Sequence, residues 1–473
     1  MTQISILSGI TGEAGVDIRA SYPVNMIPVP RESGVSAGYL RTAEGIERFD
    51  NGSPLITGRG RGSILWLGDV YWVIGSNLCK LQDGGQISVV GFVGDDGLDV
   101  SMTYSFDRLA IASARAMYYL RGGTLTKVTD PDLGPVIDVE WMDGYFVTTD
   151  GTSLIVTELA NPLAVDPLKY GSSEADPDPV NGIIKIRQEL LAVNRYTIEV
   201  FNDIGGAGFP FQRNNGAIIE KGAVGTHMFC AFDQVLAFVG GGRDEPNSVY
   251  LGSGGNATKI ATREIEDILA EYTEAELATS ATNYRMNRRH QNLCIHLPRH
   301  TLIYDASASI ALEVPVWYSL SSSVDLKSPL QGRHFQFAFG KWLIDDRTEP
   351  RIGELKNDIF TQYGAEVGWQ FDTVLLFNET RSAIIYSLEL TGTPGRADLL
   401  TDPVCFLSWT QDGVTWGDER MISLGRQGER RKRIAYRPKI KMEDFMSFRY
   451  RGANAAVISF MRLDANLEAL NNG

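Results

Sequence analysis

Short apolar runs and tight polar turns alternate along most of this chain, and the alternation itself repeats. ILWLGDVYWVIGSNLCKL (Ile64–Leu81) is the clearest copy, with three apolar runs separated by two turns, the pattern of three strands in hairpin order. Six more copies follow at Met102–Leu120, Val139–Leu159, Ile183–Phe201, His227–Gly252, Tyr284–Asp305 and Phe335–Leu355. Their first turns fall near Gly68, Asp107, Asp143, Gln188, Asp233, His290 and Gly340, roughly 36 to 57 residues apart, which is blade spacing with insertions. A three-stranded unit cannot bury both of its faces alone. Packed radially, with room for a fourth strand in each, such units bury both faces and shield most edges. The pattern predicts an all-β fold whose main body is a β-propeller of about seven blade-like units. Six, seven or eight blades stay open, because an N-terminal strand is able to complete one.

Two departures from the repeat mark other parts. In ATREIEDILAEYTEAELATSATNYR the residues Ile265, Ile268, Leu269 and Tyr272 follow helical spacing, and Thr273 with Glu276 makes a capping box for a second short helix. This predicts a helical insertion at 261–285 that divides the propeller into 63–260 and 286–357. After Leu355 the repeat stops. Runs such as AIIYSLELT, VCFLSWT and FMSFRYR predict a C-terminal antiparallel β-sandwich over 370–465. Residues 1–62 read as an N-terminal arm and ring-closing strand, directed at the ring or at a neighbouring subunit.

Composition narrows the function. A net charge of −14 weighs against wholesale neutralisation of phosphates, while an acidic wall still suits a passage that DNA crosses without sticking. Cys79, Cys230, Cys294 and Cys405 form no C-x-x-C pair and fit a chain folded in a reducing cytoplasm. No basic leader followed by an apolar run opens the sequence. No apolar stretch approaches the ~18 residues of a membrane helix, so neither secretion nor membrane insertion is expected.

Candidate chemistry is sparse. His296 and His300 are four apart in IHLPRH, a spacing that would present a metal on a helix. Pro298 between them breaks a helix, and the flanking runs are strand-like, so LPRH reads as a hairpin turn and no metal is expected. GGAGFP (Gly205–Pro210) lacks the following helix that a phosphate loop needs. GDDGLDV and EADPDPVNG read as solvated turns, and Arg59 and Arg61 in TGRGRGS as a mobile loop. Asp412 in SWTQDGVTWGDE reads as a turn that stabilises one hairpin. The strongest asymmetry is GRQGERRKRIAYRPKIK. There Arg426, Arg430, Arg431, Lys432, Arg433 and Arg437 mark a candidate contact with DNA or with an acidic partner, against the plainer reading of a solvated basic face.

YTEAELA (Tyr272–Ala278), IHLPRHTLIYDASAS (Ile295–Ser309) with Trp317 shortly after, and DIFTQYG (Asp358–Gly364) resemble the tail hub proteins of short-tailed bacteriophages, also called packaged DNA stabilisation proteins. YPVNM (Tyr22–Met26) and SAGYLR (Ser36–Arg41) are similar to that family's opening segment, and TQDGVTWGDERMI (Thr410–Ile422) to its C-terminal hairpin. The resemblance runs over almost the whole chain. It implies a homo-hexameric ring in the virion tail, assembled in the host cytoplasm and seated beneath the portal adaptor ring. Tailspikes or tail fibres at the side and a needle or plug below would be its partners, with transient contact to double-stranded genomic DNA in the ejection channel. It implies a structural role with no catalytic residues and no cofactor. The rival reading is a carbohydrate-binding or glycoside-hydrolysing propeller. That would need two carboxylates facing each other across a pocket, and Asp143, Asp233, Asp345 and Asp346 are the candidates.

Overall fold

The computed structural model describes residues 2–12, 18–31, 38–159, 161–206, 208–377, 382–397, 399, 401–453 and 455–470. Residues 32–37, which include Ser36 and Ala37 of SAGYLR, and Ala207 of GGAGFP lie outside the described residues.

The repeat folds as seven four- or five-stranded antiparallel sheets in chain order. Their inner strands are Gly60–Trp66, Ser101–Tyr104, Asp138–Met142, Val180–Ile186, Phe229–Phe232, Ala281–Asn287 and Phe335–Ala338. Strand period explains the packing. In DVYWVI (Asp69–Ile74) of blade 1, Val70, Trp72 and Ile74 pack with Ala338 and Leu343 of blade 7. The alternate residues Tyr71 and Val73 pack with Ile111 and Leu120 of blade 2. Such a strand is buried on both faces, which is why it reads as a continuous apolar run. The first hairpin turn is tight in six blades because Leu67, Asp143, Arg187, Asp233, Arg288 and Phe339 adopt left-handed φ of 49° to 58°.

Blade 7 supplies only three strands from its own stretch. Its outermost place is filled by Gly45–Arg48, antiparallel to Gly353–Lys356, so the N-terminal strand closes the ring. The residues read as an arm go elsewhere. Met26–Pro30 and Gly38–Thr42 join Ser459–Ala469, Ala383–Gly392 and Ile434–Tyr436 in one sheet of the C-terminal sandwich, and Thr2–Ile4 pairs with Ser459–Ala469. The other sheet is Trp369–Asp372, Phe445–Gly452, Val404–Thr410 and Arg420–Ser423. Trp369, Phe371, Tyr450 and Phe460 form its aromatic centre, with ring centroids 5.2 to 6.1 Å apart.

The sandwich strand Gly38–Thr42 is separated from the ring-closing strand by Ala43 and Glu44 alone. Glu44 is buried against Arg285 at 2.6 Å and accepts from Asn287 at 2.9 Å, which pins this link to the inner strand of blade 6. Just upstream, Pro23–Asn25 lies between two sheets. On one side Ser319 N donates to Pro23 O and Asn25 N to Ser319 O, at 2.9 and 2.8 Å. On the other, Val24 and Gln370 exchange bonds of 2.9 and 3.1 Å. Blade 6 and one sandwich sheet are thereby one hydrogen-bonded surface. Asn25, with φ 54°, locks it: its amide donates to Ser321 O and Gly368 O, and its carbonyl accepts from Ser321 N.

Helices Arg263–Ala270 and Glu274–Ala278 stand between blades 5 and 6, with Ile265, Leu269 and Leu277 buried and the Thr273–Glu276 capping box formed. Residues 281–285, read as part of this insertion, instead begin the inner strand of blade 6. A third helix, Ala306–Leu312, is capped by Asp305 and lies in a stretch too short for its periodicity to show.

Asn25→Ala takes away the side-chain partner of Gly368 O and Ser321 N, leaves Ser321 O with Gln362 alone, and places alanine at left-handed φ. The expected loss is about 3 kcal/mol or more, read as a lower denaturation midpoint with tryptophan exposure in blade 6 and the sandwich together.

Candidate functional surfaces

The propeller axis is filled with charge at the end where the inner strands begin. Arg59 from blade 1 and Arg333 from blade 7 both bind Asp99, at 2.8 and 2.7 Å. His334 bridges Asp99 at 3.3 Å and Asp345 at 2.6 Å. His227 of blade 5 is buried beside Asp99, across the ring, so the contact can be made only over the axis. Burial alone would lower the His334 pKa, but Asp345 and Asp99 raise it to about 9. Burial opposes ionisation of Asp99, and His334 with Arg333 nonetheless holds it well below the usual carboxylate range. Arg61 is wholly buried in the same region, donating to the carbonyls of Leu98, Gly75 and Gly94 and to Asp96 at 2.5 to 3.0 Å. This corrects two sequence expectations. TGRGRGS places Arg61 in the core rather than in a mobile loop, and Asp99 of GDDGLDV is a buried counter-ion, while Asp95 and Asp96 keep the exposed turn expected of them, Asp96 also accepting from Arg61. The signal available was the pairing of two arginines with a cluster of aspartates one blade apart.

Further along the inner strand of blade 3, Asp138 is buried and accepts from Val139 N and Ile183 N, at 2.8 and 2.9 Å. Burial pushes its carboxyl up to about 7. Glu140, two positions on, accepts from Thr103 and Trp141 N, and burial raises its pKa as well.

The four carboxylates named for glycoside chemistry do not come together. Asp143 and Asp233 are exposed at the tips of first hairpin turns. Asp345 and Asp346 are buried at the opposite end of their blade, where Asp345 holds His334 and Asp346 holds Arg351 at 2.6 Å. Strand direction alone separates the two pairs by the height of the propeller. The opening histidines also part company. LPRH is a hairpin turn closed by Leu297 N to His300 O at 2.9 Å. His296 is buried with Arg347 at 3.5 Å, and His300 meets the Tyr272 hydroxyl at 2.5 Å. Among the described residues no group of three or more His, Cys, Asp or Glu is placed to hold a metal.

The basic stretch forms a loop and two short strands at one end of the sandwich. Arg426, Arg430, Arg431, Lys432, Arg433 and Arg437 are all exposed. Arg426 pairs with Asp402 at 3.4 Å, and Arg433 pairs with Glu389 through both carboxylate oxygens. Arg430, Arg431 and Arg437 have no ion-pair partner among the described residues. The loop is held without them, because Gly428 N donates to Gly395 O and Arg426 N to Glu429. Asp412 in the neighbouring hairpin accepts from Val414 N and Thr415 N, at 2.8 and 2.7 Å, the turn role its sequence suggested.

Sequence reasoning passed over a second surface. Between its third and fourth strands blade 3 carries an insert, residues 157–170, whose Leu163 and Leu168 are exposed by 41% and 87%. It folds back on the blade 2–3 link: Val165 N donates to Asp130 at 3.2 Å and the Tyr170 hydroxyl to Asp132 O. Asp130, Asp132 and Asp150 thus gather around the Tyr170 ring, where their charges help raise its pKa.

A seven-bladed propeller clasped to an antiparallel sandwich is the class of fold the chain adopts. Residues 2–360 match the family model described as Bacteriophage P22 Gp10, beta-propeller, and residues 368–468 match Bacteriophage P22 Gp10, beta-sandwich, so the chain belongs to the P22 Gp10 family. The tail hub protein gp10 of Salmonella phage P22 is 30% identical over 470 residues, covering 94% of this chain and 95% of its own. The chain is thus a bacteriophage tail hub protein, a non-enzymatic component of the virion tail. Among solved structures, the WD40 domain of Neurospora crassa Pan2 aligns at TM-score 0.44 and 9% identity over 67% of this chain and 95% of its own. The computationally designed Ika8 protein aligns at TM-score 0.39 and 10% identity, over 75% and 98%. Neither bears on function at those scores.

The raised His334 pKa gives a pH dependence. The folded state holds the proton more tightly than the unfolded chain, so this stabilisation is complete below about pH 6.5 and is lost as pH rises through about 9. The denaturation midpoint is expected to fall over that window, by up to about 3 kcal/mol in total. His334→Gln should flatten the slope between pH 7.5 and 9, measured by chemical denaturation at fixed ionic strength.

Proposed function

We propose that this chain forms a hexameric ring beneath the portal adaptor. The ring retains packaged DNA, provides its ejection channel, and anchors tailspikes or fibres at the side and a needle or plug below. The observation that carries the reading is family membership over both domains, propeller and sandwich together. The filled propeller axis adds a constraint. The Asp99 cluster leaves no bore in a single chain for a duplex, so the conduit is the space enclosed by several chains. A wall with a net charge of −14 per chain suits passage without adhesion. A head-to-tail ring uses two different faces of each chain, closed by rotation. The chain is assembled in the host cytoplasm and resides in the virion tail.

Electron microscopy of the purified protein mixed with adaptor rings tests this reading. Six-fold rings stacked on the adaptor are expected, and a chain that stays monomeric and ignores the adaptor at high concentration would refute it. Neutralising the basic loop as Arg430→Gln, Arg431→Gln and Arg433→Gln should reduce assembly yield while the denaturation midpoint shifts by less than about 1 kcal/mol, since all three side chains are exposed. Unchanged yield would remove that loop from the assembly contacts.

A further inference from the structure

Charge is distributed unevenly along the chain. Residues 368–473 carry 14 Lys and Arg against 13 Asp and Glu, leaving the preceding 367 residues with 30 against 45. Two short stretches dominate. From Asp130 to Asp178 there are eleven carboxylates and one basic residue, Lys169. From Arg420 to Lys441 there are nine basic residues and one carboxylate, Glu429.

Each stretch forms a surface with exposed apolar side chains inside the charge. The blade 3 insert presents Leu168 and Leu163 beside Asp132, Asp150, Glu158 and Asp166. At the sandwich end, Met421 is 65% exposed in the strand that leads into the basic loop. That strand, Arg420–Ser423, pairs only with Val404–Thr410, so its other edge is open. An apolar centre ringed by charge is the anatomy of a contact surface, and here the two rings have opposite sign. Each surface keeps unpaired charge: Arg430 and Arg431 have no ion-pair partner among the described residues, and on the insert Lys169 pairs with Glu158 at 2.5 Å while Asp130, Asp132 and Asp150 have no ion-pair partner among the described residues.

We propose that these surfaces are the two halves of one contact between copies of this chain: the acidic leucine insert of blade 3 docks on the basic end of the sandwich of the next copy. Such a contact is heterologous, so repetition propagates beyond a closed pair and, with the rotation of the ring reading, closes on itself. The inference rests on the ring reading above and names the surfaces that join it. Complementary charge sets register and suppresses the symmetric pairings, because insert against insert and loop against loop both repel.

Charge exchange in the full chain tests it. Arg430→Glu with Arg431→Glu, and separately Asp132→Lys with Glu158→Lys, alter exposed or half-exposed side chains outside the blade cores. Self-association by sedimentation velocity at low salt should weaken at least about tenfold in each double variant, and return to within about threefold when all four changes are combined. A wild-type chain that associates while either double variant is unaffected, or four changes that fail to restore association, overturns the inference and leaves the ring intact. A wild-type chain monomeric at every concentration overturns both. Loss of double-stranded DNA binding in the arginine variant with association unchanged would assign the basic end to DNA and also overturn the proposal.

Discussion

The structure depends on the double pairing of Pro23–Asn25. An edge strand of a blade and an edge strand of a sandwich each expose unpaired backbone groups, and each is a liability in isolation. Here one extended segment satisfies both, so Ser319 of blade 6 and Gln370 of the sandwich become neighbours in a continuous sheet. The Asn25 side chain fixes the spacing of the two, and its left-handed backbone turns the chain into the sandwich strand Met26–Pro30. Two domains that sequence would separate near residue 360 are therefore one mechanical body. Stiffness of this kind suits a structural component of a virion tail.

The axis of the propeller is the second constraint. Charged groups from several blades meet there; Asp99 and Asp345 are buried, and Arg59, Arg333 and His334 pair with them. Removing one partner from such a set strands the others, at a cost of several kcal/mol, so the cluster enforces a single arrangement of blades. It also closes the bore.

Much of this was legible in the residues. The seven apolar–turn–apolar copies became blades because period-two burial on both faces leaves an unmistakable run, as in Asp69–Ile74. The capping box at Thr273 and Glu276 and the hairpin at LPRH were local signals and formed as read. What failed was non-local. Nothing near Met26 announces that its strand will pair in a sheet with residues more than 400 positions away, and Arg61 looks like a loop arginine until Asp96 and Gly94 close around it. The acidic insert of blade 3 was overlooked because carboxylates scattered over many residues draw less notice than a run of arginines, although folding gathers them beside Leu168.

The closing strand has a consequence for how the molecule is made. Gly45–Arg48 leaves the ribosome some three hundred residues before its partner Gly353–Lys356. Until then blades can form one by one but the circle stays open, and Met26–Thr42 waits longer still for strands at the far end of the chain. Translation thus acts as a timer. A chain cut short before Gly353 has neither a sealed wheel nor a complete sandwich.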